Sequence, residues 1–205
     1  MTETHLLPTP AGPGRAHVYA EATPARATVV LSHGAGGGLG ASDLTLLAAH
    51  LPAAGYRVVL IEQPWRVAGR KIAGRPPTLD AAWVAMLPQV EVTAALIVGG
   101  RSAGARVACR TAYEVGAHGV LCLSFPLHPP GKPESSRAAE LRAPGAHGIP
   151  VRVIQGARDP FGTPQEVRAE VSDPGWVADA PGTHSFGATP MAILAAALGF
   201  LDQML

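Results

Sequence analysis

Short runs of apolar residues alternate along this chain with longer segments of helical period. The runs Ala27 to Ser32 (ATVVLS), Arg57 to Ile61 (RVVLI), Ala94 to Gly99 (AALIVG), Gly119 to Ser124 (GVLCLS) and Val151 to Gln155 (VRVIQ) are rich in Val, Ile and Leu. None of them alternates polar with apolar residues, so each reads as a strand covered on both faces. Between them, Ser42 to Ala53, Thr78 to Leu87, Ala103 to Tyr113, a weaker Glu134 to Arg142 and Pro164 to Val171 read as helices. Thr163, Pro164 and Glu166 have the spacing of a capping box, with Pro at the first helical position. Met191 to Leu205 predicts a last amphipathic helix whose Leu194, Leu198 and Leu201 share a face. Trp176 to Asp179 is a candidate sixth inner strand and His17 to Tyr19 a candidate edge strand. Repeated βα units with right-handed crossovers predict an α/β fold: a mostly parallel, doubly wound sheet of about six to seven strands flanked by helices. With no internal repeat and no linker, residues 1–205 read as one domain.

Composition narrows the function classes. A chain of 205 residues can bury roughly 70% of its unfolded surface, so it needs no disulfide or metal to hold a core. At a net charge of +1 and 15% charged residues, it lacks the electrostatic footprint of a nucleic-acid binder. The 24 glycines and 20 prolines are spread over connections, which excludes a low-complexity tract. Cys109 and Cys122 fall in apolar stretches and read as buried, reduced thiols, with no metal-type ligand spacing around them. No cofactor is implied. The segment MTETHLLPTPAGPG lacks a basic region followed by an apolar one, and no run reaches the length of a membrane span, so a cytoplasmic location is expected.

In such a sheet ligands bind beyond the carboxyl ends of the strands, and four of those ends carry chemistry. After the third inner strand stands Gly100-Arg101-Ser102-Ala103-Gly104, a G-x-S-x-G pattern leading at once into a helix. Small residues on both sides of the serine permit a sharp turn that lifts its hydroxyl clear of the backbone. After the first inner strand comes His33-Gly34-Ala35-Gly36-Gly37-Gly38. A tetrahedral oxyanion needs two N–H donors. Ala103, at the start of its helix, and Ala35 are the candidates, with His33, Gly34 and Gly36 bordering the pocket. A phosphate-binding loop is the competing reading of the glycines, but no G-K-[ST] follows. After the fifth inner strand, Asp159 could orient an imidazole, although Asp-Pro is also an ordinary turn initiator. In the loop before the last helix, His184 is the one histidine that follows both Ser102 and Asp159.

The chain order Ser102, Asp159, His184 is that of α/β-hydrolases; chymotrypsin-like and subtilisin-like enzymes order the three residue types differently. On these residues the chain resembles the α/β-hydrolase superfamily over essentially its whole length. More narrowly, LSHGAGGG, GGRSAGAR, FPLHPPGKPE and IQGARDPFGTP look like the α/β-hydrolase-like family that includes testis-expressed-protein relatives, a subunit of a chromatin-modifying complex and short bacterial members. The resemblance implies Ser102 as nucleophile, Asp159 as acid and His184 as base, and an arginine at position 101 matches the family's habit. There is a more distant similarity to dienelactone hydrolases, which usually carry a cysteine where this chain has Ser102.

The expected activity is hydrolysis of a small-molecule ester through an acyl-enzyme. A catalytically silent scaffold that binds a protein partner is the alternative, because some eukaryotic relatives work as complex components. His128, after the fourth inner strand, reads first as a conformationally fixed loop histidine and otherwise as a pocket residue, and Phe161 is a further candidate pocket residue. Arg66, Arg70, Lys71 and Arg75 form a basic loop that is either a solvated surface or a contact for an anionic substrate. The pair Trp83 and Met86 sits at helical spacing and reads as core. The connection from Phe125 to Pro150, where many α/β-hydrolases insert a lid, has room for a loop and one short helix. That predicts a compact lidless form with a shallow site, suited to small or polar substrates.

Overall fold

The structure, a computed structural model, describes residues 2–20, 24–186 and 190–205. Its strands are β1 (Thr2–Leu7), β2 (Gly14–Tyr19), β3 (Ala27–Ser32), β4 (Tyr56–Glu62), β5 (Ala95–Arg101), β6 (Gly119–Leu123), β7 (Val151–Gly156) and β8 (Val177–Ala180). The helices are α1 (Ser42–His50), α2 (Pro64–Val67), α3 (Pro76–Met86), α4 (Ala103–Thr111), α5 (Ala138–Arg142), α6 (Pro164–Arg168) and α7 (Pro190–Met204). One sheet holds all eight strands in the order β1-β2-β4-β3-β5-β6-β7-β8. From β4 to β8 every pairing is parallel, while β2 runs against both β1 and β4. This is the α/β-hydrolase fold.

The eight strands exceed the six to seven expected from sequence, and the surplus is at the N-terminal edge. There β2 is half-buried, with Gly14, Ala16 and Val18 inward and Arg15, His17 and Tyr19 facing out. Small residues at two of these inward positions give a weak period-2 signal, and β1 outside it buries only Leu7 among its residues 3–7. Antiparallel pairing to β4 supplies what the local pattern lacks.

The inner strands are buried on both faces because successive side chains point to opposite sides. Val29, Leu31, Val58, Leu60, Ile97 and Leu121 pack under α1 and α7, together with Leu44, Leu47, Leu194 and Leu201. Val30, Val59, Val98, Val120 and Val153 pack under α2 to α6, where Trp83 and Met86 of α3 are fully buried. The Cys109 and Cys122 sulfurs lie 3.5 Å apart in this second layer, as free thiols. Burial pushes the Cys122 thiol well above its ordinary range. Thr163 and Glu166 form the reciprocal capping box: Glu166 N donates to Thr163 Oγ1, and Thr163 N donates to Glu166 Oε2 at 2.7 Å. Residues 124–150, between β6 and β7, hold only α5 and one short 3-10 turn. No helix among the described residues is long and apolar enough to cross a membrane.

Candidate active site

Ser102 stands between β5 and α4 at φ 52°, ψ −107°, a backbone conformation that side chains rarely adopt. Holding a non-glycine residue there costs on the order of 1–3 kcal/mol, which the surrounding packing must offset. The flanking glycines are what the turn requires. A Cβ on Gly104 would lie 2.5 Å from the Ser32 carbonyl oxygen, and one on Gly100, at φ 152°, would overlap the same oxygen. The elbow therefore lies directly against the end of β3. Ser102 N donates to Leu123 O at 3.0 Å, tying it to β6 as well.

The loop after β3 passes over the serine: a Cβ on Gly34 would sit 3.4 Å from Ser102 Cβ. His33 fixes that loop from beneath. Its Nδ1–H donates to Gly34 O at 2.9 Å and its Nε2 accepts from Gln63 N at 3.1 Å, while the ring meets Trp65 edge-on. Burial lowers the His33 pKa, so the neutral ring that this pair of bonds needs is the favoured form. No acceptor among the described residues pairs with the backbone N–H of Ala35 or Ala103. Ala103 opens α4, where the helix dipole favours negative charge.

Asp159 follows β7 with its carboxylate shut off from solvent. Its Oδ1 accepts from Phe161 N at 2.9 Å; its Oδ2 accepts from Gln155 Nε2 at 3.0 Å and faces His184 Nδ1 at 2.7 Å. With Nδ1 donating to Asp159, His184 Nε2 is left as acceptor for the Ser102 hydroxyl, 2.9 Å away. The Phe161 ring lies against the imidazole with centroids 4.4 Å apart. Three segments far apart in sequence thus bring Ser102, His184 and Asp159 into one chain of hydrogen bonds, an arrangement that can withdraw a hydroxyl proton and orient the base that takes it.

A cleft of about 380 Å³ opens beside the serine, lined by the Gly34–Gly37 stretch, Ala41, Ser42, Arg101, Ser102, His184 and Ser185. Gly34, Ala35, Gly36 and Arg101 are where the sequence reading puts pocket residues. His128 is not among the residues that line this cleft. Its Nδ1 bonds Pro129 O at 2.9 Å and its Nε2 faces Glu166 at 3.4 Å, so it holds its own loop. His33 lines a separate small cavity with Trp65, Ala73, Leu79 and Val107, and Phe161 meets the site behind the cleft, its ring against the imidazole and its backbone N–H on Asp159. Arg66, Arg70, Lys71 and Arg75 are exposed, and the Arg66 guanidinium lies over Gly38. Ala41, Ser42 and Ser185 of the cleft wall are not apparent as site residues in the sequence, and neither are Gln155 and Asp43 behind it. The last two are buried polar groups bonded to residues of the site. Gln155 did leave a signal, as a polar residue near the end of an otherwise apolar strand.

A family model described as an alpha/beta hydrolase domain matches residues 25–190 of the chain. No sequence among the curated proteins matches it. Similar solved structures include a Xanthomonas campestris a/b serine hydrolase described as having no lid, with 19% identity and a TM-score of 0.74 over 100% of this chain and 95% of that one. An alpha-beta serine hydrolase homologue from Coxiella burnetii is 18% identical, with a TM-score of 0.77 over 98% of both chains. Est1E from Butyrivibrio proteoclasticus is 12% identical, with a TM-score of 0.76 over 98% of both. At these identities the likeness is one of fold.

Proposed function

We propose that this chain, which belongs to the alpha/beta hydrolase domain family, is a serine hydrolase that cleaves a small or polar ester through an acyl-enzyme on Ser102. The observation that carries the reading is the unbroken chain Ser102 Oγ, His184 Nε2, His184 Nδ1, Asp159 Oδ2, with steps of 2.9 and 2.7 Å across the two hydrogen bonds. In the first half-reaction Oγ attacks the ester carbonyl while His184 Nε2 takes its proton. The carbonyl oxygen, now negative, accepts from the Ala35 and Ala103 amides; removing one such donor costs roughly 3–4 kcal/mol of barrier in other hydrolases. Collapse breaks the bond to the alcohol, which leaves with the proton from His184. Water then attacks the acyl-enzyme as His184 takes its proton, and the same proton returns to Ser102 as the acid is released.

Cleft lining supports the choice of substrate. Its walls are mostly Gly, Ala and Ser, and the connection between β6 and β7 adds no lid, so nothing among the described residues encloses a long acyl chain. Within the family, the resemblance of the string from Phe125 to Glu134 supports grouping the chain with the testis-expressed-protein relatives and short bacterial members. No observation favours the silent scaffold, which has no need of a strained serine aligned with a base.

Exposure of the purified protein to a fluorophosphonate probe, followed by mass spectrometry, tests the nucleophile. Labelling at Ser102, lost in Ser102→Ala together with hydrolysis of p-nitrophenyl acetate, is the expected result. Equal hydrolysis by wild type and Ser102→Ala would overturn the reading. A panel of esters, thioesters and amides of graded chain length then defines the substrate.

A further inference from the structure

Arg101, the residue before the nucleophile, connects three of the loops that meet at the site. Its Nη1 donates to Asp43 Oδ2 at 2.6 Å, and its Nη2 donates to the His184 backbone carbonyl at 2.7 Å and to Ser185 Oγ at 3.3 Å. Asp43 is in the first turn of α1, with a side chain 0% exposed against 14% for Arg101. Its other oxygen accepts from Leu44 N at 2.9 Å, so the carboxylate is itself fixed. The guanidinium thus spans a carboxylate anchored in the first turn of α1 and the backbone of the residue that carries the imidazole.

The His184 loop needs such an anchor. Further back it is held by Arg158 N donating to Gly182 O at 2.9 Å and by the seat of Thr183 against Gly156. Among the described residues, Arg101 makes the one hydrogen bond to the backbone of His184 itself. Because Arg101 and Ser102 are adjacent, a bond from Arg101 to His184 O sets the base relative to the nucleophile with little intervening chain. We propose, resting on the reading of Ser102 and His184 as nucleophile and base, that Arg101 is a positioning residue. It indexes the loop of His184 to the nucleophile elbow, with Asp43 holding the guanidinium in place.

The chemistry calls for arginine. Two acceptors from separate segments, a carboxylate and a carbonyl, are reached by two nitrogens of one planar fork, whereas an ammonium is a single point donor on a shorter reach. The guanidinium acts on the imidazole through the backbone, so its loss should be felt in turnover more than in affinity. A displacement of the reacting groups by about 1 Å is enough to cost on the order of 10²-fold in rate.

Arg101→Lys keeps a positive charge beside buried Asp43 and so spares the fold. It is expected to keep its Tm within about 3 °C of wild type, with kcat on p-nitrophenyl acetate down by about 10²-fold and KM unchanged. The pair Arg101→Met with Asp43→Asn leaves no buried charge unpaired and is expected to show the same split. Wild-type protein that neither labels with a fluorophosphonate nor turns over the ester would sink the hydrolase reading itself. If wild type is active and either folded variant keeps its kcat, the positioning role of Arg101 is wrong and the hydrolase reading stands. A rise in KM at constant kcat would also overturn it, by placing Arg101 on the substrate.

Discussion

Gln155 donates to Asp159 across 3.0 Å, and it does so to Oδ2, the oxygen that also faces His184. The same Nε2 lies 2.7 Å from Gly162 O and 3.2 Å from Phe125 O, so one fully buried amide joins the acid to the loops after β6 and β7. Asp159 is therefore held from both sides, by Phe161 N on Oδ1 and by Gln155 on Oδ2. A carboxylate fixed this way presents its oxygen to the imidazole without having to reorganise during proton transfer.

Replacing Gln155 by Leu removes that donor and leaves the buried Gly162 carbonyl without a partner among the described residues, while Phe125 O keeps Leu127 N and Asp159 Oδ2 keeps His184. Such an unpaired group costs about 1–3 kcal/mol, so the variant should unfold at clearly lower urea concentration. Turnover should fall further than stability alone explains, because Asp159 becomes free to turn away from His184. Urea unfolding and ester hydrolysis on the same preparation separate the two losses; wild-type kcat in a folded Gln155→Leu would show that Asp159 needs no second donor.

Gly156, at the end of β7, has the Thr183 carbonyl against it: a Cβ there would overlap the Thr183 oxygen. The expected effect of Gly156→Ala is an outward shift of the loop that carries His184. Overpacking of this kind costs typically 1–3 kcal/mol, and here the displaced backbone neighbours the base. Hydrolysis and fluorophosphonate labelling should both slow sharply while the far-ultraviolet circular dichroism of the variant stays that of wild type. Unimpaired labelling would mean that the loop is anchored elsewhere.

Much of this architecture is legible in the sequence because the inner strands are apolar on both faces and alternate with segments of helical period, the weakest of them after β6, where α5 has only five residues. Five runs of Val, Ile and Leu fall on β3, β4, β5, β6 and β7 to within a residue or two at their ends. Ser102 shows itself because its turn demands glycines at 100 and 104, and both lie against Ser32. What the sequence hides is of two kinds. The β1–β2 edge is half-exposed, so its pattern carries little hydrophobic signal. Asp43 and Gln155 act through contacts between residues 58 and 4 positions apart, and only the folded sheet reveals that each polar group finds its partner inside.

Glu140 of α5 joins two arginines of α4. Arg106 holds it in a fork of 2.8 and 2.6 Å and Arg110 adds a bond of 2.6 Å, while Arg110 also makes a fork to Asp80 of α3. Burial alone would raise the Glu140 pKa, but the two guanidinium groups outweigh it and hold the carboxyl below its usual value of 4.5. A depressed carboxylate stabilises the fold above the unfolded pKa, and that contribution disappears as pH falls through the folded one. Glu140→Gln should therefore lower Tm at pH 7, with the gap to wild type closing below pH 4.5. A gap constant from pH 7 to pH 3 would show that charge at this position is immaterial.

His33 has the opposite protonic logic to a salt-bridged base. Burial, the largest influence, outweighs the Gly34 carbonyl and Glu62 and lowers its pKa from 6.5. Near pH 6.5 and below, the unfolded chain takes up a proton that the folded ring resists, so the unfolded state binds more protons and stability falls as pH falls. Above 6.5 the ring is neutral in both states and the slope vanishes. Protonation would also turn Nε2 into a donor facing the Gln63 N–H, breaking the 3.1 Å bond that steadies the loop over Ser102. Tm measured between pH 7.5 and 5 should decline, and His33→Gln, which cannot titrate, should decline less steeply over the same range. Parallel curves for the two proteins would assign the pH dependence to other histidines and leave His33 a packing residue alone.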